Sequence, residues 1–144
     1  AECRGQAVGV PLDAEPEPSV VGMANVQHLA TYLEGRLSMP PASALELVAA
    51  VHPTPAVGGT PREVALPLIA ELEGADRGAY AGPAGWVDAQ GNGDWVVGIR
   101  SAELTDTGAR LFAGVGVVAD SDPDAELAET RAKLQAILSA LLRP

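Results

Sequence analysis

Apolar residues recur with a helical period in two segments whose ends carry capping signals. In SDPDAELAETRAKLQ and its continuation, leucine and isoleucine form one stripe of a predicted helix over 123–142. Ser121 or Asp122 is its expected cap, and a proline follows at the first helical position. Ser43 is likewise the expected N-cap of a short helix that runs through Ala50 and is stopped by the prolines of VHPTP.

Another helix is predicted over 60–74, in TPREVALPLIAELEG. Thr60 and Glu63 have the spacing of a capping box, and Gly74 stands where a helix commonly ends. Pro67 lies inside this segment, so it should kink the helix or leave one backbone carbonyl without a partner.

Strand-like patterns occupy most of the remaining chain. The segment VVGMANVQHLATYL, residues 20–33, is rich in β-branched residues and is expected to contain a strand. Three further runs, GAYAGPAGWVDAQ, DWVVGIRSAEL and ARLFAGVGVVA, are joined by GNGD and TDTG, which suit hairpin turns. The pattern predicts an α+β fold of the α/β sandwich type, in which an antiparallel meander is covered by helices. Residues 1–19 are rich in proline and glutamate and are expected to form a loop or an extended segment.

Length and composition narrow the class of protein. A chain of 144 residues favours one domain, which we place over 20–144. The formal net charge of −10 disfavours nucleic acids and anionic membranes as partners. All apolar runs are shorter than the roughly 18 residues of a membrane span, and the N-terminal residues lack a signal-peptide pattern. The single cysteine excludes an internal disulfide and fits a reducing compartment, so the cytoplasm is the expected location.

Three charged residues share one side of the predicted C-terminal helix. Glu126, Glu129 and Lys133 stand at i, i+3 and i+7, within about 60° of one another at the border of the apolar stripe. One interpretation is a surface ion pair between Glu129 and Lys133, worth about 0.3–0.5 kcal/mol. The other is a site for a metal ion or an anion, which would need backbone donors nearby. The pattern alone favours the surface ion pair.

Candidate binding residues also lie in the strand-like runs. Gly114 and Gly116 alternate along the run before the helix, so that a ligand or another side chain can approach the backbone. Arg100 is expected in the neighbouring strand, and Tyr80 begins the first strand of the meander. Together they could hold a carboxylate, or they could be a packed tyrosine and a structural ion pair. A histidine beside apolar residues, such as His28, is more often a core residue than a catalyst.

Several stretches, taken in order, resemble the chorismate-utilising enzymes and in particular the isochorismate synthases. They are VQHL, SALELVAAVHPTPAVGGTP, DRGAYAGPAGWVD, VVGIRSAEL and LFAGVGVVADSDPDAELAETRAKL. The resemblance runs from about Val20 to the C-terminus. It implies a Mg²⁺-dependent conversion of chorismate to isochorismate, which would feed menaquinone, siderophore or salicylate biosynthesis. A salicylate or anthranilate synthase and a non-catalytic chorismate-binding remnant are the alternatives.

The resemblance implies roles for the charged residues. Glu129 matches a magnesium ligand, and Glu126 matches a second acidic residue that reaches the metal. Lys133 matches a lysine near a substrate carboxylate. Tyr80 and Arg100 match the pair that grips the carboxylate of the enolpyruvyl arm. Oxygen ligands of this kind suit Mg²⁺, whose charge would help an acidic protein to hold a dianion.

Four further positions match the family. Gly114 and Gly116 match glycines whose backbone borders the substrate, and His28 matches a histidine near its ring. Ala56 falls where isochorismate-forming members carry alanine, which favours isochorismate as the product.

The family's general base, general acid and another metal-binding glutamate have no counterpart in the sequence. Lys133 is the only lysine in the chain, so it cannot be both a substrate ligand and the general base. We therefore expect a C-terminal portion of such an enzyme, which is inactive alone. Its expected partners are chorismate, Mg²⁺ and the N-terminal portion of the same enzyme.

Overall fold

The computed structural model describes residues 12–22 and 27–142. Contacts between residues divide the chain into two compact units. The first unit comprises the described residues up to His52 together with Gly85–Asp94, and the second comprises Pro53–Ala84 and the residues from Trp95 onward. All the candidate site residues except the histidine at position 28 therefore belong to the second unit.

Two short antiparallel pairs begin the first unit. Its strands are β1 (Leu12–Ala14), β2 (Ser19–Gly22), β3 (Gln27–Ala30) and β4 (Leu33–Gly35). β1 pairs with β4, and β2 pairs with β3. The predicted strand within 20–33 is confirmed, but this segment contributes to three strands because the chain turns back on itself. The EPEP stretch forms the connection between β1 and β2.

Helix α1 (Ala44–Val51) follows in the first unit and begins at the predicted cap. The Ser43 hydroxyl accepts a hydrogen bond from the backbone N–H of Glu46 at 3.3 Å, and the Glu46 carboxylate accepts one from the Ser43 N–H at 2.8 Å. The backbone hydrogen bond from Ser43 is also the main reason why the pKa of Glu46 lies below its usual value. This reciprocal capping box confirms Ser43 as the N-cap.

The next two helices are α2 (Pro55–Gly58) and α3 (Arg62–Glu73), and they contact each other. The predicted capping box at Thr60 is wrong, because α3 begins one residue later. Pro61 is the N-cap, with the extended angles φ −67° and ψ 141° and without a side-chain capping bond. Its carbonyl accepts the first backbone hydrogen bonds of the helix. Gly74 ends α3 in the left-handed conformation, at φ 59°, as the sequence predicts.

Two separate hairpins replace the predicted three-stranded meander. Their strands are β5 (Pro83–Val87) with β6 (Gly93–Val97) and β7 (Ser101–Thr105) with β8 (Gly108–Phe112). Both predicted turns are confirmed, and in the second hairpin the ends of β7 and β8 pair directly across the turn.

The meander prediction fails because the run DWVVGIRSAEL is not one strand. The Ile99 N–H donates to the Val97 carbonyl at 2.9 Å, which closes a three-residue turn after β6. Arg100 then has a positive φ of 49°, which a strand does not accommodate. Arg100 therefore lies in a bend between two strands. The placement of Arg100 in the middle of a central strand is wrong.

The last element is α4 (Pro123–Leu141), which contacts β8 in the second unit. The Asp122 carboxylate accepts a hydrogen bond from the Ala125 N–H at 2.8 Å, so Asp122 is the cap of the predicted pair of candidates. Pro123 occupies the first helical position, as predicted. With helices and antiparallel hairpins in both the sequence prediction and the structure, the α+β class is confirmed.

Burial is shallow across the described residues. Among them, Ala81 is the only buried apolar residue, with 7% of its surface exposed. Large apolar side chains on α3 and β7, such as Leu72 and Leu104, are each 75% exposed. No helix in this described part of the chain combines the length and the hydropathy needed to cross a membrane.

Candidate functional site

Lys133 is the centre of a cluster in the second unit. Its ammonium group lies 2.6 Å from Oε1 of Glu129, one turn earlier in α4. It also donates a hydrogen bond to the Gly114 carbonyl oxygen at 3.1 Å, across 19 positions of sequence. The Lys133 side chain is only 19% exposed, whereas that of Glu129 is 56% exposed. The ion pair predicted from the pattern is present, but Lys133 also ties α4 to the segment after β8.

The Tyr80 hydroxyl lies close to Gly114. A Cβ atom placed on Gly114 would lie 2.8 Å from the Tyr80 hydroxyl oxygen, so only glycine fits without a shift. The Tyr80 ring stacks on Phe112, with 5.3 Å between centroids and 17° between planes. Burial is the main cause that raises the pKa of the Tyr80 phenol, so the hydroxyl is protonated and able to donate at neutral pH. Tyr80, Gly114, Lys133 and Glu129 thus form one continuous cluster.

Gly114 and Gly116 differ in their surroundings. Both lie beyond β8, so the prediction that they alternate within one strand is wrong: the strand ends at Phe112. Whereas Gly114 is enclosed by Tyr80, a Cβ atom on Gly116 would have no neighbour within 4 Å. The space beside the Gly116 backbone is therefore free of protein atoms, and a ligand can approach it.

Glu126 is held by the segment that precedes α4. The Ser121 hydroxyl donates to Oε1 of Glu126 at 2.7 Å and accepts from the Val118 N–H at 3.1 Å. This chain of bonds fixes one carboxylate at the start of the helix. Glu126 and Glu129 share a face because they are three residues apart in a helix.

The two carboxylates suit a magnesium ion as a donor set, though they do not by themselves complete its shell. Mg²⁺ is commonly held by one or two carboxylates with water and substrate oxygens. The described ranges 12–22 and 27–142 contain no group of three or more acidic, histidine or cysteine side chains placed to hold a metal. A magnesium ion held by these two carboxylates would need further oxygens from water, substrate or other protein groups.

The remaining predicted site residues are Arg100, Ala56 and His28. Arg100 lies in its bend and has an interaction within the protein. Ala56 lies on α2 with its side chain exposed, next to Val57. His28 is in β3 opposite Val21, but its side chain lies outside the described part of the structure.

Sequence reasoning missed the residues that support the cluster. Arg77 places its guanidinium over the Tyr80 ring and pairs with Glu73, whose pKa is lowered chiefly by the hydrogen bond from Arg77. The pair is therefore formed at neutral pH, and its contribution to stability is lost as the pH falls through that lowered pKa. Arg77 lies beyond Gly74, where α3 ends, so helical spacing gave no signal for its pair with Glu73. No pattern in the sequence indicates the ring contact or the support of Glu126 by Ser121.

Comparison with known proteins shows that the chain is similar to isochorismate synthases. The chain is 52% identical over 123 residues to the vibriobactin-specific isochorismate synthase of Vibrio cholerae, covering 85% of this chain and 31% of that protein. It is 46% identical over 130 residues to the isochorismate synthase DhbC of Bacillus subtilis, covering 90% of this chain and 33% of that protein. The crystal structure of DhbC from Bacillus anthracis superposes with a TM-score of 0.87 at 48% identity, covering 91% of this chain and 35% of that one.

The chain thus spans about a third of the length of the relatives that it matches. A family profile described as "Chorismate binding enzyme" matches residues 6–142, which is nearly all of the chain. That match includes every element that builds the cluster around Lys133. The chain therefore belongs to the chorismate binding enzyme family.

Proposed function

We propose that this chain is the C-terminal portion of an isochorismate synthase, which converts chorismate to isochorismate with Mg²⁺. One observation carries the proposal: Tyr80, Gly114, Lys133 and Glu129 form a single cluster in a chain that matches isochorismate synthases over most of its length. The assembled enzyme, meaning this chain together with the N-terminal portion of such a synthase, would contain the general base and the general acid.

The cluster has the chemistry to bind an anionic substrate. Chorismate is a dianion, and the chain has a net charge of −10, so positive charge must be concentrated locally. Lys133 supplies an ammonium group on a side chain that is about four-fifths buried, where the attraction for a carboxylate is less screened than on a fully exposed side chain. The protonated Tyr80 hydroxyl can donate to a second oxygen. Arg100 would pair with Tyr80 at the enolpyruvyl carboxylate.

Glu129 and Glu126 would hold Mg²⁺, because they lie on the same face of α4 and their carboxylate oxygens are ligands that this ion prefers. Bound there, Mg²⁺ would neutralise substrate charge and help to orient the ring during loss of hydroxide and entry of water. Ser121 keeps the Glu126 carboxylate in place, and Lys133 keeps that of Glu129. Gly116 leaves its backbone open to the substrate, and the Gly114 backbone would border the substrate beside Tyr80. Ala56 leaves space that favours isochorismate as the product.

The direct test is turnover by the assembled enzyme. We expect chorismate and Mg²⁺ to give isochorismate, identified by chromatography against salicylate and anthranilate standards. Each portion alone serves as the control and should be inactive. If the assembled enzyme leaves chorismate unchanged, the proposal fails. If salicylate or anthranilate is the first product, a relative with another reaction takes its place. Calorimetry with chorismate, with and without Mg²⁺, would identify a protein that binds without turnover.

The metal assignment predicts a specific defect. Glu129→Gln keeps the size and a hydrogen-bond acceptor but removes the charge, so the Mg²⁺ concentration for half-maximal activity should rise at least about tenfold. Excess Mg²⁺ should restore much of the rate. Mn²⁺ binding, followed by electron paramagnetic resonance, gives a readout that does not require turnover.

Glu103→Gln is the matched control for this prediction. Glu103 also pairs with a basic residue, Arg110 at 3.9 Å, but on an exposed hairpin in which both side chains are at least 60% exposed. Its replacement should leave both the Mg²⁺ dependence and Mn²⁺ binding unchanged. Equal behaviour of the two variants would remove Glu129 from the metal site.

A further inference from the structure

Arg77 joins three parts of the second unit through one planar group. Its Nε and Nη2 atoms donate to the two carboxylate oxygens of Glu73, at 2.7 and 2.5 Å. Its Nη1 atom donates to the Val57 carbonyl oxygen at 3.3 Å. Its guanidinium carbon lies 5.7 Å from the centroid of the Tyr80 ring. The end of α3, the α2 turn and Tyr80 are thereby linked.

These contacts differ from those of an ordinary surface ion pair. Arg110 and Glu103 form such a pair, with a single contact at 3.9 Å and side chains that are 66% and 60% exposed. Arg77 is 28% exposed and binds Glu73 with two bonds in a fork, which holds the guanidinium plane in one orientation. A fixed plane next to an aromatic ring restricts the positions that the ring can take.

The position of the Tyr80 ring matters because of its neighbours. The ring stacks on Phe112, and the hydroxyl lies where a Cβ atom on Gly114 would be only 2.8 Å away. A small rotation of the ring would therefore change the space over the Gly114 backbone, whose carbonyl binds Lys133. Val57, whose carbonyl Arg77 holds, is adjacent to Ala56 in α2.

We propose that Arg77 is a positioning residue of the substrate site, which holds the Tyr80 phenol against Gly114 and fixes the α2 turn that carries Ala56. This inference rests on the proposed function, because Tyr80 and Ala56 are substrate-facing only in a chorismate enzyme. Arg77 acts through these neighbours and need not contact the substrate.

Arg77→Met in the assembled enzyme tests the inference with two independent readouts. The first is kinetic: KM for chorismate should rise about tenfold while kcat changes much less, because binding geometry is lost and the chemistry is not. The second is the fluorine resonance of 3-fluorotyrosine at position 80, assigned by its loss in Tyr80→Phe. This resonance should move toward the value of free fluorotyrosine, since the guanidinium no longer restrains the ring.

Three further variants sharpen the result. Arg77→Lys keeps the charge but cannot form both bonds to Glu73, so it should recover KM and the resonance only in part. Glu73→Gln should produce a smaller change in the same direction. Arg110→Met removes an exposed arginine from an ion pair and should change neither readout.

The outcomes separate this inference from the proposed function. If the unsubstituted enzyme makes no isochorismate, the proposed function fails, and the fluorine resonance alone decides whether Arg77 positions Tyr80. If Arg77→Met leaves the Tyr80 resonance in place, or behaves like Arg110→Met in KM, the inference is overturned. A fall in kcat with unchanged KM would also overturn it, because that result would indicate a role in the reaction step.

Discussion

Replacing Lys133 with methionine is expected to lower kcat/KM for chorismate about 1000-fold in the assembled enzyme. This factor is at the upper end of the range for removal of one preorganised hydrogen-bond donor from an active site. Methionine is close to lysine in length, so the packing of the aliphatic stem is largely kept. The substitution would remove the ammonium group. Among the described contacts, this group is the positive charge nearest to the Gly114 backbone. Steady-state kinetics with chorismate measures the effect.

The physical basis of this prediction is the partial burial of the Lys133 side chain, of which 19% is exposed. Without the ammonium, the Glu129 carboxylate loses a partner at 2.6 Å and would repel the anionic substrate. The Gly114 carbonyl also loses its donor at 3.1 Å, so the segment that we propose to border the substrate is less restrained. Both changes act in the same direction, against binding of a dianion.

Arg131→Met is the control for Lys133→Met. It removes the same charge two residues earlier in α4, where the side chain is exposed, and should leave kcat/KM within about twofold because exposed charges are strongly screened. Lys133→Arg restores charge but introduces a larger planar group. If Lys133→Met and Arg131→Met behaved alike, Lys133 would be only the surface partner of Glu129.

Replacing Gly114 with alanine is expected to lower kcat/KM about 100-fold, since a displacement of about 1 Å in a site can have that effect. The added methyl group would lie 2.8 Å from the Tyr80 hydroxyl, closer than atoms can approach without movement. The Tyr80 ring is stacked on Phe112, so relief of the clash requires a shift of a packed ring or of the backbone. The free energy of unfolding should fall by about 1–3 kcal/mol, which chemical denaturation measures.

A double variant separates the two effects of Gly114→Ala. Adding Tyr80→Phe removes the oxygen that the methyl group meets, so stability should largely return while activity stays low, because the phenol hydroxyl is lost as well. Gly108→Ala is the matched control, since a Cβ atom there meets nothing within 4 Å. It should change stability by no more than about 0.5 kcal/mol. Full activity in Gly114→Ala would show that the contact with Tyr80 is not needed.

Elements that depend on neighbouring residues in the sequence were predictable. Ser43 with its capping box, a cap of α4 at Ser121 or Asp122, and Gly74 at the end of α3 all follow from local chemistry, and the structure selects Asp122. The two hairpin turns are also local. Each depends on the donors, acceptors and backbone preferences of about four residues, so the pattern alone contains the information.

The failures share a different cause. Thr60 has the right spacing for a capping box, yet the backbone of Pro61 stays extended and α3 begins later. The run around Arg100 has the composition of a strand, yet a turn at Gly98 divides it. In both places several local conformations are compatible with the residues, and contacts with the rest of the protein select among them.

The candidate site shows the same division. The sequence by itself determined that Glu126, Glu129 and Lys133 share a helix face, because helical spacing alone requires it, and it placed glycines and a tyrosine in the family's motifs. Only the tertiary structure decided that Lys133 reaches the Gly114 carbonyl, that the Tyr80 hydroxyl lies beside Gly114, and that the Arg77 guanidinium lies over the Tyr80 ring. The contacts of Gly114 with Lys133 and with Tyr80 join residues that are 19 and 34 positions apart, and their distances depend on how the elements pack, which no local pattern specifies. Arg77 and Tyr80 lie three positions apart in the connection between α3 and β5, and the conformation of that connection brings them together.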